Sequence, residues 1–246
     1  MDKGGDKIPV TLMVMTYNQV RFVTAAVESA LAQDYDGPLE VLISDDASTD
    51  GTGDVLRKLV ADYDGLHRVR LNINARNLGL IAHLHKVFAM SSHDLVVCAA
   101  GDDVSRADRV SRLADLHSRS GALLLHSATD FMDADGMALP DPNIATTFSG
   151  DWTPVDVAKS GALFIGATAT YHKDLLRNFG PIIEPNAYED LVLGFRAALL
   201  GRIAYCDEPL VRYRVGEGMS KAGSTKTHAQ AHAFAVLLAV FRQRLT

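Results

Sequence analysis

The chain has 246 residues, 48% of them hydrophobic and 22% charged, with 19 glycines and 8 prolines. That profile belongs to a folded protein of one large or two small domains and excludes a disordered or collagen-like chain. The net charge of −6 offers no sequence-wide attraction to nucleic acid or anionic lipid, so a phosphate ligand has to be handled locally.

Short apolar runs alternate with helix-period stretches through the first half. Runs at residues 10–15, 39–43, 69–73 in weaker form, and 95–100 are rich in Val, Leu or Ile and predict strands. Between the first two, Val20, Val23, Val27, Ala30 and Leu31 recur at three- and four-residue steps, which predicts a helix with Asn18 as N-cap. Further helices are expected from about Asp50 through Val55, Leu56, Leu59 and Val60, after Gly79 with Ile81, Leu84, His85 and Phe88 on one side, and over residues 105–119. This βαβ rhythm predicts an α/β domain with a mostly parallel central sheet flanked by helices.

After Gly121 the pattern loosens. Leu123-Leu124-Leu125 and Phe131-Met132 are short apolar patches, Asp133-Ala134-Asp135-Gly136 is a turn signature, residues 140–154 read as a surface loop and 162–167 are apolar. A helix is predicted over residues 188–200, strands over 203–205 and 210–215, and a terminal helix from about His228. The polar start carries no signal-peptide pattern and the longest apolar run, 233–241, is shorter than a bilayer span, so a cytoplasmic location is expected. Cys98 and Cys206 fit no metal or redox spacing and read as reduced thiols.

Three acidic clusters carry the chemistry. Ser44-Asp45-Asp46-Ala47-Ser48-Thr49-Asp50-Gly51-Thr52 follows the second predicted strand, at the sheet edge where open α/β proteins bind ligands. It begins like a calcium loop, but Arg57 stands where the twelfth-position Glu is needed. Ser48 or Asp50 has a simpler use as a helix cap, which does not account for Asp45 and Asp46 together. Gly101-Asp102-Asp103 follows the fourth strand and brings a second carboxylate pair to the same edge. Carboxylate pairs beside a phosphate-bearing ligand suit Mn2+ or Mg2+, and the ion explains how an acidic chain holds an anion. Tyr188-Glu189-Asp190 opens a helix, where acidic residues also complement the helix dipole.

With these clusters in order, the chain resembles the family 2 glycosyltransferases, inverting nucleotide-sugar enzymes of the GT-A (Rossmann-like) fold. The matching stretches are Met15-Thr16-Tyr17-Asn18, residues 44–52, Asn77-Leu78-Gly79, Ala100-Gly101-Asp102-Asp103, Ala107-Asp108-Arg109, Tyr188-Glu189-Asp190, and Pro209-Leu210-Val211 with Tyr213-Arg214. They cover roughly residues 8–220. The resemblance implies a single domain over 1–246, with a nucleotide-sugar half over about 8–127, an acceptor half over about 128–220 and a terminal helix over about 227–246. It implies that Tyr17 stacks on the base beside the backbone of Met15 and Thr16, that Asp45 reads a base N–H of uracil or thymine, and that Asn77 lines the nucleotide pocket. Asp102 would reach the ribose or the metal, Asp103 would ligate the metal, and Asp190 would be the general base. Glu189 and Trp152 would face the acceptor, a glycan or lipid-linked saccharide. Two departures stand out: Ala100 replaces the first Asp of the usual DxD, and Gly216 stands where many relatives carry a His.

Other residues are weighed against plainer uses. His83 and His85 are two apart and so face different sides of a helix, which argues against zinc. Trp152 is a packing anchor or an acceptor platform. Arg76 and Arg106 flank the expected donor pocket and are either ordinary surface arginines or diphosphate contacts, and Arg214 or Lys221 is a further candidate for the diphosphate. The segment 231–241, followed by Arg242-Gln243-Arg244, is expected to pack on the core, with contact to a membrane surface or partner as the other reading. Two rivals remain: a nucleotide-binding interaction module without catalysis, against which Asp190 speaks, and a phosphoryl or nucleotidyl transferase, against which the absence of any P-loop speaks.

Overall fold

The computed structural model describes residues 7–142, 152–160 and 163–216. All four expected strands of the first half form: β1 (Val10–Thr16), β2 (Leu39–Asp45), β3 (Arg68–Ile73) and β4 (Leu95–Ala100). β1 pairs in parallel with β2 and β4, and β2 with β3. β2 is buried throughout and β1 almost so, as near-continuous Val, Leu and Ile require in a sheet covered by helices on both faces.

The sheet continues with β5 (Val104–Ser105), β6 (Leu124–Met132), β7 (Ala138–Leu139), β8 (Thr170–His172) and β9 (Ile203–Arg214). Its order is β3-β2-β1-β4-β8-β6-β9-β5, with β7 on β6. β8 lies antiparallel between β4 and β6, and β6 runs parallel to β9. The mostly parallel pairing expected therefore describes β1–β4 and gives way to mixed pairing beyond, because the short strands β5, β7 and β8 run against their neighbours.

Helices cover both faces. α1 (Val23–Leu31), α2 (Thr52–Ala61) and α4 (Arg109–Ser120) place Val27, Leu56 and Leu113 against Leu12 and Val41. α3 (Leu80–Met90), α5 (Pro154–Lys159) and α7 (Glu189–Leu200) place Leu84, Val157 and Leu191 against Met13, Leu42 and Val96 on the other face. The strand alternation of Leu12 and Met13 is what divides the core into these two layers. Each fully buried Leu or Val contributes about 1.5–3 kcal/mol. A single turn, α6 (Asp174–Arg177), precedes α7.

Several local expectations are corrected. Asn18 is no N-cap: it adopts φ 52°, which asparagine tolerates, and its side-chain oxygen accepts from Thr49 N while its own N–H donates to Ser48 Oγ. That clasp pulls residues 18–22 out of the helix, so α1 starts at Val23 and Val20 is exposed. The fourth helix starts at Arg109 because Ser105 is taken by β9 and pairs with Val211. The two apolar patches at 123–125 and 131–132 belong to one strand, β6, and the two late strands are one strand, β9, with register shifts opposite Ser127 and Ala128 near Pro209. Most of the 140–154 loop and the expected terminal helix lie outside the described residues; Thr153 forms a capping box with Asp156 at the start of α5. Cys98 is buried, Cys206 is partly buried, and both are free thiols.

Candidate active site

Parallel register carries the polar ends of the strands to one edge. Thr16 lies opposite Asp45, Asp45 opposite Ile73, and Met15 opposite Ala100, so the segments that follow β1, β2 and β4 leave the sheet side by side. Backbone bonds continue past the strand ends: Asp46 N donates to Thr16 O and Gly101 N to Met15 O. Gly101 is required here, since a Cβ would stand 2.6 Å from the Thr16 methyl and collide with the Gln19 side chain. Tyr17 sits on this edge with 47% of its surface exposed. Its loop is held by Gln19 N donating to Thr52 Oγ1 and Val20 N to Asp50 Oδ2.

The first acidic pair is saturated by the chain itself. Asp45 is fully buried; Oδ1 accepts from the Thr16 and Ser48 hydroxyls and Oδ2 from Ser48 N. Asp46 accepts from Asn74 Nδ2 at 2.7 Å, from Leu78 N at 2.9 Å and from Gly79 N at 2.9 Å, which fixes the loop entering α3 and places a carboxylate at that helix's N-terminus. Asn77, on the same loop, is exposed, and its side-chain oxygen accepts from Gly79 N. Beneath, Ser44 Oγ meets His83 Nε2 at 2.6 Å and accepts from Asn72 Nδ2. Burial holds the His83 imidazole below its ordinary pKa, although Asp46 and Asp45 pull the other way.

The second pair is arranged differently. Asp103 Oδ1 accepts from Arg214 N at 2.8 Å, while Oδ2 is buried with no hydrogen-bond partner among the described residues. Burial and then the adjacent Asp102 push the Asp103 carboxyl well above the usual carboxylate range. Arg109 lies beneath with no exposed surface, donating to Ser105 Oγ, Cys98 O and Ala167 O. Its charge offsets part of the penalty on Asp103. Among the described residues no three His, Cys, Asp or Glu side chains converge as a self-sufficient metal cluster. An orphaned buried carboxylate oxygen beside a second carboxylate fits a hard cation that takes its remaining ligands from phosphate and water.

Arg109 also links this pair to the third cluster. Ala167 belongs to a 3-10 turn (Gly166–Thr168) whose Gly166 abuts Glu189; a Cβ there would strike the Glu189 carboxylate. Burial, then the neighbouring Asp190, pushes the Glu189 pKa up to about 8. Asp190 opens α7, and its Oδ1 accepts from Leu191 N at 2.7 Å. The Tyr171 hydroxyl is buried nearby without a hydrogen-bond partner among the described residues, its pKa raised by burial and by Glu189. A cavity of about 130 Å³ adjoins the turn, lined by His126, Phe164, Thr168 and Tyr205 among others. Trp152 packs against the core layer of α5 and α7.

Of the residues expected from sequence, Met15, Thr16, Tyr17, Asp45, Asp102 and Asp103 come together at one edge. Met15 and Thr16 already use their carbonyls within the sheet. Arg214 and Arg106 are corrected as diphosphate ligands: Arg214 is buried with its donors on backbone carbonyls, and Arg106 is paired with Asp108 and Glu208. Arg76 is exposed, and Lys221 lies outside the described residues. In the sequence Asp46 reads as half of an acidic pair, Arg109 as part of a matching stretch and His83 as a zinc candidate set aside, but none of them, nor Gly166, reads as an organiser of the site; His83 shares the 80, 83, 87 spacing of the α3 face that Val87 buries.

A family model described as "Glycosyl transferase family 2" matches residues 11–165. The chain belongs to that family. An uncharacterized glycosyltransferase of Nostoc sp. is 24% identical over 224 residues, 88% of this chain and 68% of that one. Other curated relatives match over 27–37% of their own length. Among solved structures, S. aureus TarS 1–349 in complex with UDP-GlcNAc superposes with a TM-score of 0.68 at 18% identity, over 89% of this chain and 62% of that one. A mannosyltransferase from Pyrobaculum calidifontis in complex with GDP-Man and Mn2+ gives 0.65 at 17% identity, over 99% and 76%. At these identities the likeness establishes the α/β fold of GT-A glycosyltransferases. No described helix is long and apolar enough to cross a membrane.

Proposed function

We propose that the protein transfers a glycosyl group, with inversion, from a UDP- or dTDP-sugar to a hydroxyl of a saccharide or lipid-linked saccharide on the cytoplasmic side of a membrane. The observation that carries the reading is Asp103 Oδ2, buried without a hydrogen-bond partner among the described residues, beside Asp102 on the edge where Tyr17 stands exposed. Tyr17 stacks on the base. Asp45 frames that pocket through the Thr16 and Ser48 hydroxyls, and reading a base N–H from it requires the Ser48 turn to open its remaining Oδ2 lone pair. Asp102 and Asp103 are the residues that would hold Mn2+ or Mg2+, and such an ion supplies neutralisation of the departing diphosphate. The mannosyltransferase neighbour, solved with GDP-Man and Mn2+, supports a donor and a metal of this kind.

On the acceptor side the two carboxyls of α7 divide the work. Burial, then Asp190, pushes the Glu189 pKa up to about 8, which favours its neutral form. The Leu191 N–H and the helix N-terminus favour a carboxylate at Asp190. Asp190 takes the acceptor hydroxyl proton as the oxygen attacks the anomeric carbon opposite the leaving diphosphate, and no covalent intermediate forms. The aromatic-lined cavity beside the Gly166 turn, with Trp152 on the same core layer, is the place for the acceptor ring.

The experiment is NMR of the product formed from UDP-, dTDP- and GDP-sugars with a saccharide acceptor and Mn2+. An inverted anomer is expected; a retained one would overturn the single-displacement role of Asp190.

A further inference from the structure

Arg214 ends β9 and is only 6% exposed, yet nearly all its donors go to loops around the acidic edge and not to its own strand. Its N–H donates to Asp103 Oδ1 at 2.8 Å and its Nε to Asp102 O at 2.9 Å. Its Nη1 donates to Asp133 O at 2.7 Å and Ala134 O at 3.0 Å, both in the turn that follows β6. The guanidinium also lies over the Phe22 ring, 4.5 Å from its centroid, in the loop that follows β1. The side chain thus touches three loops, at residues 22, 102 and 133–134, while the main-chain N–H holds Asp103. The loop after β1 and the turn after β6 are also joined by the exposed Arg21–Asp135 pair.

We propose that Arg214 is a positioning residue whose guanidinium locks the Asp102-Asp103 loop against the turn after β6 and the loop after β1, setting where the two carboxylates meet the donor. The planar fork suits this task. Nε and Nη1 point at different carbonyls while the face stacks on an aromatic ring, which a lysine ammonium cannot reproduce. The nearby Asp103 carboxylate compensates the buried positive charge, so the lock and the acidic pair stabilise each other. Without it, Asp102 O, Asp133 O and Ala134 O each lose a charge-assisted donor. The consequence for the donor rests on the function proposed above; the lock itself does not.

The test uses Arg214→Met, which keeps the stem and removes the donors, with Arg214→Lys and Phe22→Ala beside it. Hydrogen exchange of the unliganded protein reads the lock directly. Arg214→Met is expected to exchange at least about tenfold faster in peptides covering 101–105 and 133–137, with α3 unchanged. Calorimetry of UDP, dTDP and GDP then compares affinity in Mn2+ with affinity in EDTA. The Mn2+-dependent gain is expected to fall about tenfold or more in Arg214→Met and by less in Arg214→Lys, while affinity in EDTA stays within about twofold. A residue that only held the fold together would lower both affinities alike. Exchange within about twofold of wild type at both loops, or an unchanged Mn2+ gain in the folded variant, overturns the proposal. If Arg214→Met shows no cooperative melt, Arg214→Lys and Phe22→Ala decide by the same exchange measurement, and wild-type exchange in both overturns it. Absence of any Mn2+ gain in the wild type counts against the donor-site reading, and hydrogen exchange alone then decides the lock.

Discussion

Two Asp-Asp pairs leave neighbouring ends of the sheet, one after β2 and one after β4, and they have opposite characters. Asp45 and Asp46 meet hydroxyls, an asparagine amide and backbone N–H groups, so every carboxylate oxygen has a partner. Asp103 keeps one oxygen buried with no partner among the described residues, and its carboxyl is pushed up by burial and by Asp102. The same dipeptide at the same kind of strand end is a brace in one place and an underpartnered buried group in the other. What decides is the supply of donors: the loop after β2 faces Asn74 and the N-terminus of α3, whereas the Asp103 carboxylate meets the Arg214 N–H and, among the described residues, no donor at its second oxygen. A buried carboxylate short of donors is costly unless a cation arrives, which is why the second pair is the one to test for function.

The largest effect belongs to the third acidic pair. Asp190→Asn is expected to lower transfer by about 10²–10⁴, with nucleotide affinity retained, as measured by steady-state rates beside calorimetry. Full activity would remove Asp190 from the mechanism. The contrast between the first two pairs is broken most cleanly by truncating each. Asp46→Ala strands Asn74 Nδ2 and the Leu78 N–H, leaves Gly79 N with Asn77 Oδ1 alone, and should cost about 1–3 kcal/mol in urea unfolding. Asp103→Asn removes an underpartnered buried charge, so it should leave metal-free stability unchanged or higher while abolishing the Mn2+-dependent gain in nucleotide affinity. Equal destabilisation by both variants would erase the distinction.

How much of this was legible in the sequence follows the same divide. β1, β2 and β4 were readable because continuous Val, Leu and Ile runs are what a doubly covered parallel strand needs, β3 from a weaker run that suits its half-buried place at the sheet edge, and α3 and α7 because their apolar periods are undisturbed. Starts of helices were misplaced where long-range hydrogen bonds win over local propensity: Asn18 clasps Thr49 across 31 residues, and Ser105 pairs with Val211 across more than a hundred. The motif residues Tyr17, Asp102, Asp103 and Asp190 could be named from their order along the chain. That Asp45 and Asp46 are saturated, that Arg214 faces inward and that Gly166 makes room for Glu189 depend on contacts between distant segments, which spacing does not record.

Two smaller effects sharpen the comparison. Tyr17→Ala should weaken nucleotide binding by about 1–3 kcal/mol, the worth of base stacking on an aromatic ring, without changing the melting temperature, because the side chain is half exposed. Glu189 gives a pH signature. Its folded pKa near 8 lies above the unfolded value of a glutamate, so between about pH 4.5 and 8 the folded state holds a proton that the unfolded state has lost. Stability therefore falls as pH rises through that window. Glu189→Gln should remove this slope, gaining on wild type by at most about 1.4 kcal/mol per pH unit in denaturant titrations. A wild-type slope in the variant would show that another group carries it.

The most direct test of the central claim is calorimetric titration of UDP, dTDP and GDP into wild type and Asp103→Asn, each in Mn2+ and in EDTA. The account predicts that one diphosphate binds wild type, that Mn2+ tightens it, and that Asp103→Asn loses the metal gain while keeping the metal-free affinity. Binding of none of the three, or a Mn2+ gain that survives in Asp103→Asn, would contradict it.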